Sequence, residues 1–254
     1  MATYLSRTPS TTGNRKTWTW SGWVKRNLNA AQQNLIAVST TTTTFSFLYF
    51  NPSNQLVMYS ADDGATGGYI QTTRKFNDVN GWYHIVCTID TTNSTANDRI
   101  KLYVNGQQET SFVSRVNPIL NYDFYMNTSG NRMDIGSSGT GMSANSNVFY
   151  GLMSYISFID GTAYDASYFG ETDATTGEWK IKIPSVTYGT NGFFILKDGS
   201  ANNFDGVMSH VHWIDGTAYD ASYFGSTDSV TGEWKINTSP SVTYGTNGFF
   251  ILKD

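Results

Sequence analysis

The sequence predicts an all-β fold of two stacked sheets, and three observations predict it. Apolar and aromatic residues alternate with polar ones at a period of two along most of residues 17–160, the pattern of half-buried strands. Aromatic residues make up 15 % of the chain and charged residues only 14 %, against about 25 % in an ordinary globular domain. Glycine, serine, threonine and asparagine fill the intervals between the alternating runs, and no Ala/Leu/Glu/Lys-rich stretch offers a long helix.

The strands follow in order. Over residues 17–25, Trp18, Trp20, Gly22 and Val24 share one face, and Thr19, Ser21, Trp23 and Lys25 share the other. Residues 35–39, 43–50 and 55–60 continue the alternation, with Asn51-Pro52-Ser53-Asn54 as a tight connection. Residues 67–76, 82–90 and 99–105 follow, the last two separated by a polar loop over 91–98. Asn105-Gly106 then predicts a type I′ hairpin, because both central positions of that turn need positive φ, so residues 107–112 should fold back antiparallel. A short strand at 132–136 lies in a loop-rich region, and residues 149–160 form one long strand. Asp165-Ala166-Ser167-Tyr168-Phe169-Gly170 predicts a single helical turn, capped by Asp165 and stopped by a left-handed Gly170.

The formal charge of −4 is spread without a basic stripe, which excludes a nucleic-acid footprint; Arg15-Lys16, Lys25-Arg26 and Arg74-Lys75 read as solvated strand ends. The single cysteine, Cys87, rules out an internal disulfide and falls on the same face as Tyr83, Ile85 and Ile89, where a buried, inert thiol is expected. No apolar run reaches membrane-spanning length, so no membrane insertion is expected. Met1-Ala2-Thr3-Tyr4 carries no leader pattern, and synthesis in a cytoplasm is expected. The sequons at Asn93, Asn127 and Asn237 matter only in a eukaryotic secretory pathway, which nothing else supports.

The most specific feature is an internal repeat. Residues 159–170 recur letter for letter at 214–225, residues 176–181 at 231–236, and residues 184–198 at 240–254 after a one-residue insertion. The expected organisation is a sandwich with its C-terminal extension over 1–198, followed at 199–254 by a partial repeat of 150–198. A piece with two or three strands is too small for a core of its own, so the second copy should pack on the sandwich or on a neighbouring subunit.

Trp82-Tyr83-His84-Ile85-Val86, Asp90 and Lys101-Leu102-Tyr103-Val104-Asn105-Gly106 resemble the central motif of laminin-G and pentraxin-like domains. Ile135-Gly136 and residues 149–156 resemble that family's closing strands. The resemblance covers about residues 17–170 and implies a concanavalin A-like jelly-roll β-sandwich. A narrower resemblance is to tail-fibre, appendage and other structural proteins of marine bacteriophages. It rests on Tyr4-Leu5-Ser6-Arg7-Thr8-Pro9, on residues 16–25, and on residues 158–164, 169–173, 176–179 and 188–193. It implies a virion location, on the capsid surface or tail, with other virion proteins as partners and a homo-oligomer, trimeric in the phage type.

Candidate sites are few. Tyr69, Tyr122, Phe124, Tyr125 and Tyr150 are the candidate exposed aromatics for a glycan platform, whereas Trp18, Trp20, Trp82, Trp179 and Trp234 read as core or tail-stapling residues. Calcium is the one cofactor the resemblance implies; Asp62 with Asp63, and Asp90 with Asn93 and Asp98, are the oxygen-rich candidates, with acidic turns as the alternative. His210 and His212 have the spacing of two ligands on a strand face, although the first repeat has Tyr155 and Ser157 there. Asp160, Trp179, Asp215 and Trp234 mark the repeated docking unit.

Chemistry that cuts glycosidic bonds needs two carboxylates about 5–10 Å apart. Glu109, Glu171, Glu178 and Glu233 stand apart in sequence, and no Gly-x-Ser-x-Gly elbow occurs. The expected function is therefore a non-enzymatic display or adhesion module of a phage particle that meets host-surface glycans. A carbohydrate-binding lectin outside a virion is the alternative, and a glycoside hydrolase is the remotest reading.

Overall fold

The computed structural model describes residues 4–27, 31–139, 146–196, 210–246 and 248–251. The chain divides into two compact units, Met1–Asp198 and Gly199–Asp254.

The first unit is built from two antiparallel sheets. Its strands are β1 (Leu5–Arg7), β2 (Thr17–Arg26), β3 (Gln33–Ser39), β4 (Phe45–Phe50), β5 (Gln55–Asp62), β6 (Ala65–Lys75), β7 (Tyr83–Asp90), β8 (Ile100–Val104), β9 (Gln107–Gln108), β10 (Phe112–Val116), β11 (Met133–Ile135), β12 (Gly151–Asp160), β13 (Gly170–Thr172), β14 (Trp179–Ile181) and β15 (Phe193–Ile195). A seven-stranded sheet runs β1-β11-β3-β4-β5-β6-β10 and a six-stranded sheet runs β15-β12-β2-β7-β8-β9, with β13 and β14 as a separate hairpin.

The core lies between the sheets, as the alternation requires. From β2 it takes Trp18, Trp20 and Val24, from β4 Leu48 and Phe50, from β5 Leu56 and Met58, and from β7 Ile85, Cys87 and Ile89. Burial raises the Cys87 thiol far above its ordinary pKa, so it stays protonated and inert. Gly22 is glycine because a Cβ there would meet Ile156 at 2.5 Å and the Trp20 indole at 2.7 Å.

Two expectations are corrected in the strands. Arg26 is not a solvated strand end: it is fully buried. Its guanidinium donates to the Phe76 carbonyl at 2.8 Å and Asn54 Oδ1 at 3.0 Å, and lies 4.6 Å from the centre of the Phe50 ring. Phe124 is a core residue, packed edge-on against Trp18 at 5.7 Å.

Asn105 and Gly106 both have positive φ, 48° and 81°, and form the predicted turn. The returning strand is shorter than expected, because β9 ends after two residues and the chain crosses to the other sheet, where β10 pairs with β6.

Beyond β12 the chain turns back over the outer face of the six-stranded sheet. Asp165 caps a single 3-10 turn, Ala166–Tyr168, by accepting from the Ser167 amide at 2.8 Å. Gly170 is not a left-handed stop; it begins β13, and a Cβ on it would lie 2.5 Å from the Trp179 indole. Val86, Ile159, Ala166 and Phe169 make a second apolar cluster, with Tyr103, Tyr164, Trp179, Val186 and Tyr188 packed against it. Asp160 ties three segments together by accepting from Asn14 N at 2.7 Å, Asn127 Nδ2 at 2.7 Å and Asn191 N at 3.1 Å.

The second unit contains β16 (Val211–Trp213), β17 (Gly225–Thr227), β18 (Trp234–Ile236) and β19 (Phe249–Ile251). Its pairings copy those of the first. Val211↔Ile251, His212↔Phe250 and Trp213↔Phe249 match Ile156↔Ile195, Ser157↔Phe194 and Phe158↔Phe193. Gly225↔Ile236 matches Gly170↔Ile181. Asp220 caps Ala221–Tyr223 as Asp165 does its turn, and the Asp215 amide donates to the Tyr244 carbonyl as the Asp160 amide does to that of Tyr188. The last residues of the second repeat, 252–254, and residues 197 and 198 of the first lie outside the described residues. Among the described residues no helix is long and apolar enough to cross a membrane.

Candidate functional site

The outer face of the six-stranded sheet carries a column of rings. Alternation along β2 turns Thr19, Ser21 and Trp23 away from the core, and the matching position of β7, paired with Trp23, is His84. The Trp23 and His84 rings stack at 5.0 Å and 22°, and the ring of Trp179 from β14 lies 6.0 Å from the imidazole at 24°. Both ring nitrogens are engaged: Trp179 Nε1 donates to Nδ1 at 2.9 Å, and Nε2 lies 2.9 Å from Ser21 Oγ. Accepting at Nδ1 leaves the proton on Nε2, so the Ser21 hydroxyl is the acceptor of the second bond. Burial without a carboxylate partner pulls the His84 pKa down to about 3, and the ring is neutral at ordinary pH.

Beside this column opens a cleft of about 420 Å³, lined by Trp23, Trp82, Ser154, Trp179, Lys180 and Ile181. Trp82, just before β7, is 39 % exposed, so it is neither core nor staple. Trp179 is the staple, pinned to His84. Lys180 is held at the rim by Asp173 at 3.1 Å and Glu171 at 3.6 Å. Indole faces with a hydroxyl and an ammonium at the edge form an aromatic cleft with a few directional polar groups, the usual make-up of a small-ligand site.

The residues singled out in the sequence lie elsewhere. Tyr122 and Tyr125 come together with Asp62: Tyr125 Oη donates to Asp62 Oδ1 at 2.5 Å, and Tyr122 and Asp62 line a cleft of about 250 Å³ with Gly67, Asn117 and Ile119. Burial, and then Asp62, raise the Tyr125 phenol to about 12. Tyr69 belongs to another cluster, packed edge-on to Tyr59 at 5.2 Å with its hydroxyl on Gln71 at 2.6 Å. Tyr150 is exposed ahead of β12.

The four aspartates fall in two places. Asp63 follows Asp62 in the turn to β6, with φ 46°. Asp90 and Asp98 share a polar cleft of about 280 Å³ with Asn93, Lys101, Tyr103 and Asp165. There Asp98 pairs with Lys101 at 3.1 Å, and Asp90 accepts from Thr92 N and Oγ. Among the described residues no three His, Cys, Asp or Glu side chains are grouped to hold a metal ion. His210 and His212 are not on one regular strand: His210 has φ 51°, as Tyr155 does at the bulge of β12, and His212 stacks on Phe250 at 4.0 Å with Nδ1 2.7 Å from Tyr244 Oη.

A family model described as the concanavalin A-like lectin/glucanases superfamily, of the laminin-G type, matches residues 2–160. The chain belongs to that superfamily. The match ends at the last residue of β12, so the extension that carries Trp179 lies beyond it. No curated protein matches the chain.

Solved structures with similar superfamily folds include a heptameric SAP-like pentraxin from Limulus polyphemus, at 15 % identity over 63 % of this chain and 70 % of that one, TM-score 0.44. Another is a putative carbohydrate binding protein from Bacteroides ovatus, at 18 % identity over 63 % of this chain and 42 % of that one, TM-score 0.45. A third is the CBM40 of the Ruminococcus gnavus IT-sialidase bound to α2,3 sialyllactose, at 15 % identity over 58 % and 86 %, TM-score 0.42.

The tryptophan cleft was not assembled from the sequence. Its signal was present in Trp23, placed by alternation on the face opposite Trp18 and Trp20, but nothing in the letters says that Trp179 folds back onto that face.

Proposed function

We propose that this chain is a non-enzymatic adhesion module that holds a saccharide in the cleft of Trp23, Trp82 and Trp179. The observation that carries the reading is the exposed Trp82 face beside the Trp23, His84 and Trp179 rings, with both imidazole nitrogens and the Trp179 N–H already hydrogen-bonded. Rings fixed in this way offer flat apolar area at little entropic cost, which suits the apolar face of a pyranose. Lys180 supplies an ammonium to the sugar's oxygens, and Ser154, whose hydroxyl donates to the Leu196 carbonyl at 3.1 Å, supplies an acceptor to a sugar hydroxyl. Phage-type segments at both ends of the sandwich support a place on the exterior of a virion, made in the bacterial host cytoplasm and facing host-surface glycans.

A glycan array probed with the wild type and Trp82→Ala tests the reading. The wild type is expected to be retained by at least one glycan class, with signal lost by about tenfold in the variant. No retention by any glycan, or equal retention of both proteins, overturns it. Antibody labelling of purified particles tests the virion location; label absent from the particle exterior counts against it.

A further inference from the structure

The sequence holds four Asn-Gly pairs, Asn80-Gly81, Asn105-Gly106, Asn191-Gly192 and Asn247-Gly248. Such a pair can modify itself. The glycine nitrogen gives its proton to hydroxide and bonds to the asparagine Cγ, and the side-chain nitrogen takes a proton from water and leaves as ammonia. Water then cleaves one of the two C–N bonds of the resulting succinimide, giving aspartate or isoaspartate. Glycine favours this because it has no side chain to obstruct the attack and the freest backbone. The fold decides which pair reacts, since Cγ must swing over a nitrogen that is free to meet it.

Two of the pairs are locked. Asn105 sits in the turn after β8, where its Oδ1 accepts from the His84 amide at 2.7 Å and its own amide donates to the His84 carbonyl at 2.9 Å. Asn191 is 3 % exposed, and its Nδ2 donates to the Thr11 carbonyl at 2.9 Å while its amide donates to Asp160 Oδ2 at 3.1 Å. Asn247 lies outside the described residues.

Asn80 is the open one, exposed in the loop between β6 and β7. Its backbone amide donates to Asp78 Oδ1 at 2.8 Å. Among the described residues, neither its side-chain amide nor the Gly81 nitrogen has a hydrogen bond. The loop is anchored on both sides of the pair. Phe76 is buried with its amide on the Asn54 carbonyl at 2.7 Å, and Tyr83 Oη donates to the Asp78 carbonyl at 3.2 Å. Isoaspartate carries the main chain through Cβ and Cγ and so lengthens it by one carbon between these anchors. Trp82, next after the pair and part of the cleft wall, must then move. Either product also puts a negative charge where an amide stood.

We propose that Asn80 is a self-modification site, and that its conversion to aspartate or isoaspartate displaces Trp82 and weakens saccharide retention. The effect on retention rests on the reading of the tryptophan cleft above; the place of modification does not.

The full chain, folded and in denaturant, is held in mildly alkaline buffer, and each Asn-Gly peptide is followed by mass spectrometry for replacement of –NH2 by –OH. In the folded chain Asn80 is expected to convert at least about tenfold faster than Asn105 and Asn191, which react only through local opening. In denaturant the three are expected to convert at similar rates. Asn80→Gln, which would need a six-membered ring, is expected to stay unconverted at that position and to keep its retention on the array. Converted wild type is expected to fall by about tenfold, to the level of Trp82→Ala. Conversion led by Asn105 or Asn191 in the folded chain, the same lead for Asn80 in denaturant, or converted wild type retained as well as Asn80→Gln overturns the proposal. Fresh wild type that no glycan retains overturns the cleft and the effect on retention, whereas the masses alone decide the place of modification.

Discussion

At the scale of single residues, the imidazole of His84 connects stability to pH. Its folded pKa of about 3 lies below the ordinary 6.5, so between these values the unfolded chain binds a proton that the folded chain does not. Stability from this group is therefore full above about pH 6.5 and falls as pH drops, by about 1.4 kcal/mol per unit. His84→Gln removes the titration. Urea unfolding at pH 7 and pH 5 should show a larger loss for the wild type than for the variant; equal losses would mean that His84 titrates freely in the fold. Trp82 makes the opposite case. Because Trp82 is partly exposed and outside the core cluster, Trp82→Ala should change unfolding free energy by less than about 1 kcal/mol while lowering saccharide retention by about tenfold. A large stability loss would assign Trp82 to packing.

At the scale of elements, alternation made the strands legible. Residues 17–25, 55–60 and 82–90 fall within a residue or two of β2, β5 and β7, because each has one face toward the core. Elements set by tertiary contact were not legible. β10 changes sheet after β9, and β14 is placed by the bond from Trp179 to His84, which spans 95 residues of sequence. Gly106 shows both kinds of information. Its positive φ follows from the Asn-Gly turn, but the sequence gives no sign that a Cβ there would lie 2.6 Å from Trp179. Gly130 has a similar φ of 78° with open space around it. Gly130→Ala should cost about 1 kcal/mol for backbone strain alone, and Gly106→Ala about 1–3 kcal/mol more for the overlap. Equal costs in denaturant titrations would show that β14 does not cover the turn.

At the scale of the whole molecule, the core cluster and the tryptophan cleft belong entirely to residues 1–198. Deleting 199–254 should leave saccharide retention unchanged. Loss of retention would mean that the second repeat contributes to the site. The sequence letters reached the fold class because composition and period suffice for it. They named Tyr122 and Tyr125 for a glycan platform and Asp62 for calcium separately, and gave no sign that the Tyr125 hydroxyl bonds to Asp62. The tryptophan cleft stayed hidden because its walls come from four separate stretches of chain.

The proposed adhesion requires a sugar ring lying against Trp82. Saturation-transfer difference NMR of the full chain, with a glycan retained on the array, reads that contact directly. The expected result is saturation concentrated on the protons of one ring face and lost in Trp82→Ala. Saturation spread evenly over the sugar, or unchanged in the variant, would contradict it.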